Sequence, residues 1–321
     1  MSVELAVTPR GPYSLALSAR LSSDATRTFR DGLFTAVLDV DGQLQVARAW
    51  QSPDGTVTVR AESAAGAERL RWILAVDDDH SDFLRLVRDD RMLGPASRAL
   101  RGLRPVRVGT VAHALLRAFC GQLIEAKRAR RLEQTIIRRV CAPGGEQLHA
   151  SPTTRDLGAL APSKLRALGL HSARGASLVR LCRTIELERL HGSPTDVVAA
   201  RLERERGLGP WSIGVVCLEG LGRYDYGLIG DLGLVKLLRA LRGRPVDGEF
   251  GIARTTGTPS AMCASMYAVG IAAATVRTVC SAETNAPISA SNASMSCGFT
   301  ASTTSAAPFT ASGFEVVAST S

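Results

Sequence analysis

Two different apolar periods divide the chain. Leu33 to Val40 and Gln43 to Trp50 are strand-length runs rich in apolar residues that meet across Asp41-Gly42, a strong two-residue hairpin signal. Pro53-Asp54-Gly55 makes a second turn into Thr56 to Arg60, and Tyr13 to Leu21 alternates in part. Residues 13–62 are therefore expected to be β-structure. From about Ala64 the period lengthens. Leu70, Ile73 and Leu74 begin one helix, and Phe83, Leu84 and Leu86 a second. The first hundred or so residues read as a small antiparallel sheet with helices packed on it.

From Val108 to Phe250 the pattern is almost entirely helical. Val111, Leu115, Leu116, Phe119, Cys120 and Leu123 share one face. Leu132, Ile136 and Val140 mark the next helix, and Val179, Cys182 and Ile185 another. Ser193-Pro194-Thr195-Asp196 is a helix start, with a Ser cap, Pro at the first position and Asp in the first turn. That helix is expected to run to about Glu205. Arg206-Gly207-Leu208-Gly209 then forms a hairpin, Gly207 and Gly209 supplying its unusual backbone angles. Pro210 opens a second helix, which Gly220 and Gly222 end. After about Arg254 the chain is dominated by Ala, Ser and Thr, with no lasting period. Such a tail is expected to be disordered; a shift of reading frame explains the abrupt break equally well. The fold class is α+β: an N-terminal α+β domain (1–105), an all-helical helix-hairpin-helix domain (106–253) and a low-complexity tail (254–321).

Composition narrows the partners. The formal net charge is +9, carried almost wholly by arginine, with lysine only at 127, 164 and 236. Such a surface suits nucleic acid, and equally an anionic membrane or no polyanion at all. No apolar run approaches the roughly 20 residues of a membrane span, and the N-terminus has no basic region followed by an apolar one. The seven cysteines are an odd count without a CxxC pair; Cys120, Cys141, Cys182 and Cys217 fall in helical patterns. Cys263, Cys280 and Cys297 are too widely spaced for a zinc or iron–sulfur site. A cytoplasmic protein without a metal cluster is expected. No Walker-type phosphate loop or dinucleotide fingerprint is present, and His113, His149, His171 and His191, which form no ligand-spaced set, are assigned to surface or caps.

Four places could carry chemistry. The Gly207–Gly209 turn can aim amides at a phosphate, or be a helix end followed by a Pro-started helix; Arg201, Arg204 and Arg206 flank it. Asp231 can cap the helix Leu232–Leu241, or act on a nucleotide held nearby, and the two are compatible because a cap stays ionised. Asp225, nearer the hairpin helix, is the next acid. Trp211, taken by itself, reads as core. Leu123, in Phe119-Cys-Gly-Gln-Leu-Ile124, fits the apolar face of its helix and reads as core. Lys127, Arg128, Arg130 and Arg131 behind it are either backbone contacts or a solvated face.

Together the residues from Leu202 to Leu238 resemble the helix-hairpin-helix DNA glycosylases, and most closely the bacterial 3-methyladenine glycosylase II family. The resemblance spans about residues 10–253. It implies that amides near Gly207 and Gly209, with Ser212, hold a DNA phosphate. It implies that the carbonyls of Glu203, Glu205 and Leu208 can hold a monovalent cation, with no other cofactor; the acidic side chains at 203 and 205 are expected to be solvated. Gln122 and Leu123 match a wedge that fills the gap left by an everted base. Asp231, preceding Leu-Gly-Leu234, matches the catalytic aspartate, and Trp211 a wall of the base pocket. Related bifunctional enzymes carry a lysine where Trp211 stands; no lysine lies between 165 and 235 here, so a Schiff base is disfavoured. Val215 stands where some members place a pocket tyrosine, and the tail shows no equivalent of the family's last pocket aromatic. The implied activity is monofunctional release of alkylated purines from double-stranded DNA by a monomer, as an enzyme of base excision repair. The alternatives are a non-catalytic or impaired DNA-binding protein of the same fold and, beyond that, a helical regulator in which the hairpin is only structural.

Overall fold

A computed structural model of the protein describes residues 2–90 and 93–233. The expected tail, the helix expected over Leu232–Leu241 beyond its first two residues, and Cys263, Cys280 and Cys297 lie outside the described residues.

Five strands form within the first 61 residues: β1 (Val3–Val7), β2 (Arg27–Arg30), β3 (Leu33–Val40), β4 (Gln43–Gln51) and β5 (Val57–Ala61). They pair antiparallel throughout in the order β1-β5-β4-β3-β2. Asp41 and Gly42 join β3 to β4 with φ of 53° and 82°, the left-handed pair a tight hairpin favours. The register sets Phe34 opposite Ala49 and Val37 opposite Val46. One expected strand is a helix. Leu15–Ala19 forms α1, capped by Ser14, whose side chain accepts from the Leu17 amide. Leu15, Ser18 and Ala19 are its buried residues, at helical spacing. A five-residue apolar run suits either period, and here the cap decides.

Both faces of the sheet are covered. On one, Phe34, Ala36, Leu38, Ala47, Ala49, Val57 and Val59 pack with Leu70 and Ile73 of α2 (Ala64–Ile73). Burying each large side chain of this set contributes about 1.5–3 kcal/mol. Two short helices follow, α3 (Ser81–Leu86) and α4 (Gly94–Ala99). Arg104 is fully buried between these parts and donates to the carbonyls of Ala75, Val76 and Pro12 at 2.8, 2.7 and 3.1 Å. On the other face, Val37 and Val46 join the core of the helical part.

That part comprises α5 (Val111–Gly121), α6 (Ala126–Val140), α7 (Thr154–Gly158), α8 (Pro162–Ala167), α9 (Ser172–Thr184), α10 (Thr195–Glu203) and α11 (Pro210–Val215). A 3-10 turn at Leu187–Gly192 precedes α10, and a π-helical turn, Val216–Gly220, continues α11. A two-stranded hairpin, β6 (Pro143–Gly145) and β7 (Leu148–His149), interrupts the expected all-helical run. It adds Leu148 to the same core as Val37. The helix expected to start at Pro194 starts at Thr195, with Pro194 in the cap position. The apolar face of α5 is buried as expected, Leu115, Leu116 and Phe119 being at most 1% exposed.

A buried ionic cluster crosses from the sheet to the helices. Arg117 of α5 donates to Glu133 Oε1 of α6 (2.9 Å), to Asp24 Oδ2 (2.8 Å) and to Glu219 Oε2. Arg27 joins Asp24 at 3.2 Å. His113, expected at the surface, is instead fully buried, its Nε2 lying 2.8 Å from Glu133 Oε1. Its position one turn before Arg117 puts both on the face that meets α6. Burial alone would raise the Asp24 carboxyl; Arg27 and Arg117 more than offset it and hold the carboxyl below the usual range. Donor atoms of Asp24, His113 and Glu133 lie within 4.8 Å of one another. Arg117 already occupies both carboxylates, so the set is an ion-paired cluster in which a metal would compete with a guanidinium.

Candidate active site

The turn from α10 to α11 is shaped by Gly207, whose φ is +97°. That angle demands glycine, and a Cβ there would also stand 2.8 Å from Ser177 Oγ. Gly209 does not supply the unusual angle expected of it. Its φ and ψ of −98° and 172° are extended, and it is the N-cap of α11 with Pro210 next. Nothing lies within 4 Å of where its Cβ would be. Leu208 is buried between them and donates its amide to the Glu205 carbonyl at 3.2 Å. Gly207 and Gly209 are exposed, as are Arg201, Arg204 and Arg206. Open backbone at a helix start among arginines attracts anions. The acidic side chains here are partnered rather than merely solvated: Arg180 pairs with Glu205 at 2.7 Å, and the Tyr226 hydroxyl donates to Glu203 Oε1 at 3.5 Å.

Gln122 and Leu123 stand beside this turn. Gln122, the C-cap of α5, donates from Nε2 to the Gly207 carbonyl (3.0 Å) and to Ser212 Oγ (2.9 Å). The Ser212 hydroxyl is thus buried and engaged with Gln122. Leu123 departs from the core reading. It follows the helix end with φ +56° and the residue is 89% exposed. Left-handed backbone costs a non-glycine residue about 1–2 kcal/mol, and this side chain recovers nothing by burial. Such an outlier points to use outside the fold. Behind it Lys127, Arg128 and Arg131 are exposed, while Arg130 donates to the Leu21 carbonyl at 2.7 Å and so ties α6 to the N-terminal part.

Trp211, the second residue of α11, links hairpin and acid. Its indole Nε1–H donates to Asp231 Oδ2 at 2.8 Å. With Tyr224, it packs against a small apolar cluster of Ala118, Val215, Leu218 and Leu228. Tyr224 was not legible in the sequence as a site residue. Its hydroxyl donates to Asp78, which also receives Arg107, and His80 meets its ring edge-on at 4.9 Å. Burial and the Asp78 charge push the phenol well above its ordinary range, so Tyr224 acts as a donor.

Asp231 is half-buried, its amide donating to the Leu228 carbonyl at 3.2 Å, and residues 232–233 are helical. It therefore stands where an N-cap stands while presenting its carboxylate to Trp211. Asp225 is placed elsewhere: it accepts from the Thr195 hydroxyl at 2.8 Å and pins α10. Cys120, Cys141, Cys182 and Cys217 are buried, and burial pushes the thiols of the last three up to about 12. They are inert as nucleophiles at neutral pH. Among the described residues no helix is long and apolar enough to cross a membrane.

No protein-family model and no curated protein matches the sequence. Solved structures do. A 3-methyladenine DNA-glycosylase from Archaeoglobus fulgidus matches with TM-score 0.73 at 17% identity, covering 83% of this chain and 97% of that one. MBOgg1 in complex with a low-affinity DNA ligand matches with TM-score 0.69 at 14% identity, covering 85% and 96%. An 8-oxoguanine glycosylase/lyase from Clostridium acetobutylicum, bound to duplex DNA with cytosine opposite 8-oxoguanine, matches with TM-score 0.66 at 13% identity, covering 87% and 98%. The chain has the fold of the helix-hairpin-helix DNA glycosylases.

Proposed function

We propose that this protein is a monofunctional DNA glycosylase that hydrolyses the N-glycosidic bond of alkylated purines, of 3-methyladenine type, everted from duplex DNA. The observation that carries the reading is the Asp231 carboxylate held 2.8 Å from the Trp211 indole nitrogen, at the end of the hairpin pair whose turn contacts Gln122. In this reading the exposed Leu123 enters the duplex and occupies the space the base leaves, offsetting part of the unstacking cost. Amides at Gly207 and Gly209 grip a strand phosphate, helped by the exposed arginines. Trp211 and Tyr224 offer aromatic surface to the base.

The chemistry needs one fixed negative charge. As the base departs, positive charge grows on the sugar, and a carboxylate near C1′ stabilises that state more than the ground state. Water adds its oxygen to C1′, the bond to the purine nitrogen breaks with its electron pair going to the base, and the proton of water passes to solvent. A purine already cationic through alkylation leaves as a neutral molecule without acid assistance. Trp211 in place of an amine, and the lack of lysine between 165 and 235, favour hydrolysis over a lyase step. A monovalent cation on the carbonyls of Glu203, Glu205 and Leu208 fits the donor set, since the Glu205 oxygen that accepts the Leu208 amide keeps a second lone pair. Action as a cytoplasmic monomer on double-stranded DNA belongs to the same proposal.

The test is base release. The protein incubated with methylated duplex DNA should liberate free methylated purine and leave abasic sites, and Asp231→Asn should stop release while keeping DNA affinity. Salt-dependent DNA binding with no release from the wild type would favour the non-catalytic reading.

A further inference from the structure

The geometry points to Trp211 as a positioning residue: its indole N–H fixes the Asp231 carboxylate, and the missing side chain at Gly121 sets where that indole sits. The role rests on Asp231 being the charged group of the proposed reaction. It is separate from any stacking of the ring on a base.

An indole N–H can only donate, and when partly buried it must find an acceptor. Trp211 finds Asp231 at 2.8 Å. A carboxylate turns readily about its last bond, whose rotamer preference is broad. A hydrogen bond from a ring that cannot turn therefore orients it. The ring is held on three sides: by its place behind Pro210 in α11, by the cluster of Ala118 and Leu228, and by the end of α5. At that end a Cβ on Gly121 would lie 2.7 Å from Trp211 Cη2 and 3.5 Å from Cζ3. Gly121 is not among the residues at positive φ, so its backbone has no need of glycine, and alanine would be the better helix former by about 1 kcal/mol. The close approach of the indole is what the position accommodates.

The same contact joins the two halves of the site. Gly121 directly precedes Gln122 and Leu123, and Gln122 holds Ser212, the neighbour of Trp211. A displacement of the Leu123 loop reaches the indole through both contacts, and the indole passes it to Asp231.

The chain has three tryptophans, Trp50, Trp72 and Trp211, so its 1H–15N spectrum carries three indole signals. Trp211→Phe identifies one by its loss. Asp231→Ala should move that signal upfield and speed its exchange with solvent. Gly121→Ala should move the same signal and leave the other two in place. Trp211→Phe keeps a ring but loses the donor. Its single-turnover release of base should fall about 10- to 100-fold, the cost of a misplaced reacting group, while affinity for a duplex with an abasic analogue stays within about threefold. A Trp211 signal unmoved by Asp231→Ala, or a Trp211→Phe protein that releases base at the wild-type rate, overturns the inference. Were the wild type to release no base, the proposed activity would fall, and the spectra alone would still decide whether Trp211 holds Asp231.

Discussion

Replacing Leu123 by glycine should leave the protein as stable as before or more so, while weakening its grip on damaged DNA. The two effects have separate origins. In the free protein the leucine sits at φ +56° and is 89% exposed. Glycine adopts that backbone freely, which removes a strain of about 1–2 kcal/mol. Against this, glycine makes the unfolded chain more disordered, a loss of about 0.4–1 kcal/mol. The balance lies between no change and a gain of about 1.5 kcal/mol, or up to about 5 °C in melting temperature for a domain of this size. Binding changes the other way. A leucine side chain that passes from water into the base stack contributes about 1.5–2.5 kcal/mol. Its loss lowers affinity about 10- to 70-fold, each 1.4 kcal/mol being about tenfold. Differential scanning fluorimetry gives the first quantity, and fluorescence anisotropy with a duplex holding an abasic analogue gives the second. Intact duplex, which offers no gap to fill, should show little change. A Leu123→Gly protein whose melting temperature falls in step with its affinity would refute the reasoning, because Leu123 would then be supporting the fold.

Two other sites make predictions of their own. Arg117→Met leaves Asp24, Glu133 and Glu219 facing one another beside too little positive charge, and should cost about 3–5 kcal/mol in urea denaturation; a loss below about 1 kcal/mol would mean that Arg27 and His113 suffice. His80 supplies a pH dependence. Burial, and then the Arg104 charge, lower it from 6.5 to about 4. The unfolded chain takes up that proton below 6.5 and the folded chain only below about 4. Stability is therefore complete above the upper value and falls as pH drops between the two, by about 3 kcal/mol in all. The urea midpoint of His80→Gln should fall less than that of the wild type across this window, and a slope equal to that of the wild type would remove His80 as its source. The depressed carboxyls of Asp24 and Glu133 add their own loss from the lower end of this window downward.

Much of this was legible in the sequence where a local rule fixes the outcome. Asp41-Gly42 favours a tight turn between two strand-like runs, and the apolar face of α5 could be buried only one way. The hairpin, Trp211 and Asp231 were visible because their spacing is a pattern along the chain. What escaped depends on which remote segments meet. Tyr224 becomes part of the site only because Asp78, 146 positions away, receives its hydroxyl. His113 carries no mark of burial until Glu133 is packed against it. Leu15–Ala19 was ambiguous in period and resolved by a single serine cap. Leu123 fell on the apolar face by count, yet the helix stops two residues earlier, at Gly121, and releases it to solvent.

The π-helical turn at Val216–Gly220 bears on how such chains tolerate changes of length. One residue added to an α-helix swings everything after it by about 100°. Gathered into a wider turn, the extra residue leaves the downstream phase intact. The stretch between Pro210 and Gly222 thus holds one residue of slack. A relation one residue shorter there would run through as plain α-helix and still deliver its acid to the same spot. The same deletion inside α5 would swing the leucine away from the hairpin. Insertions and deletions among kindred sequences should therefore gather on the acid's side of the hairpin and spare the leucine's.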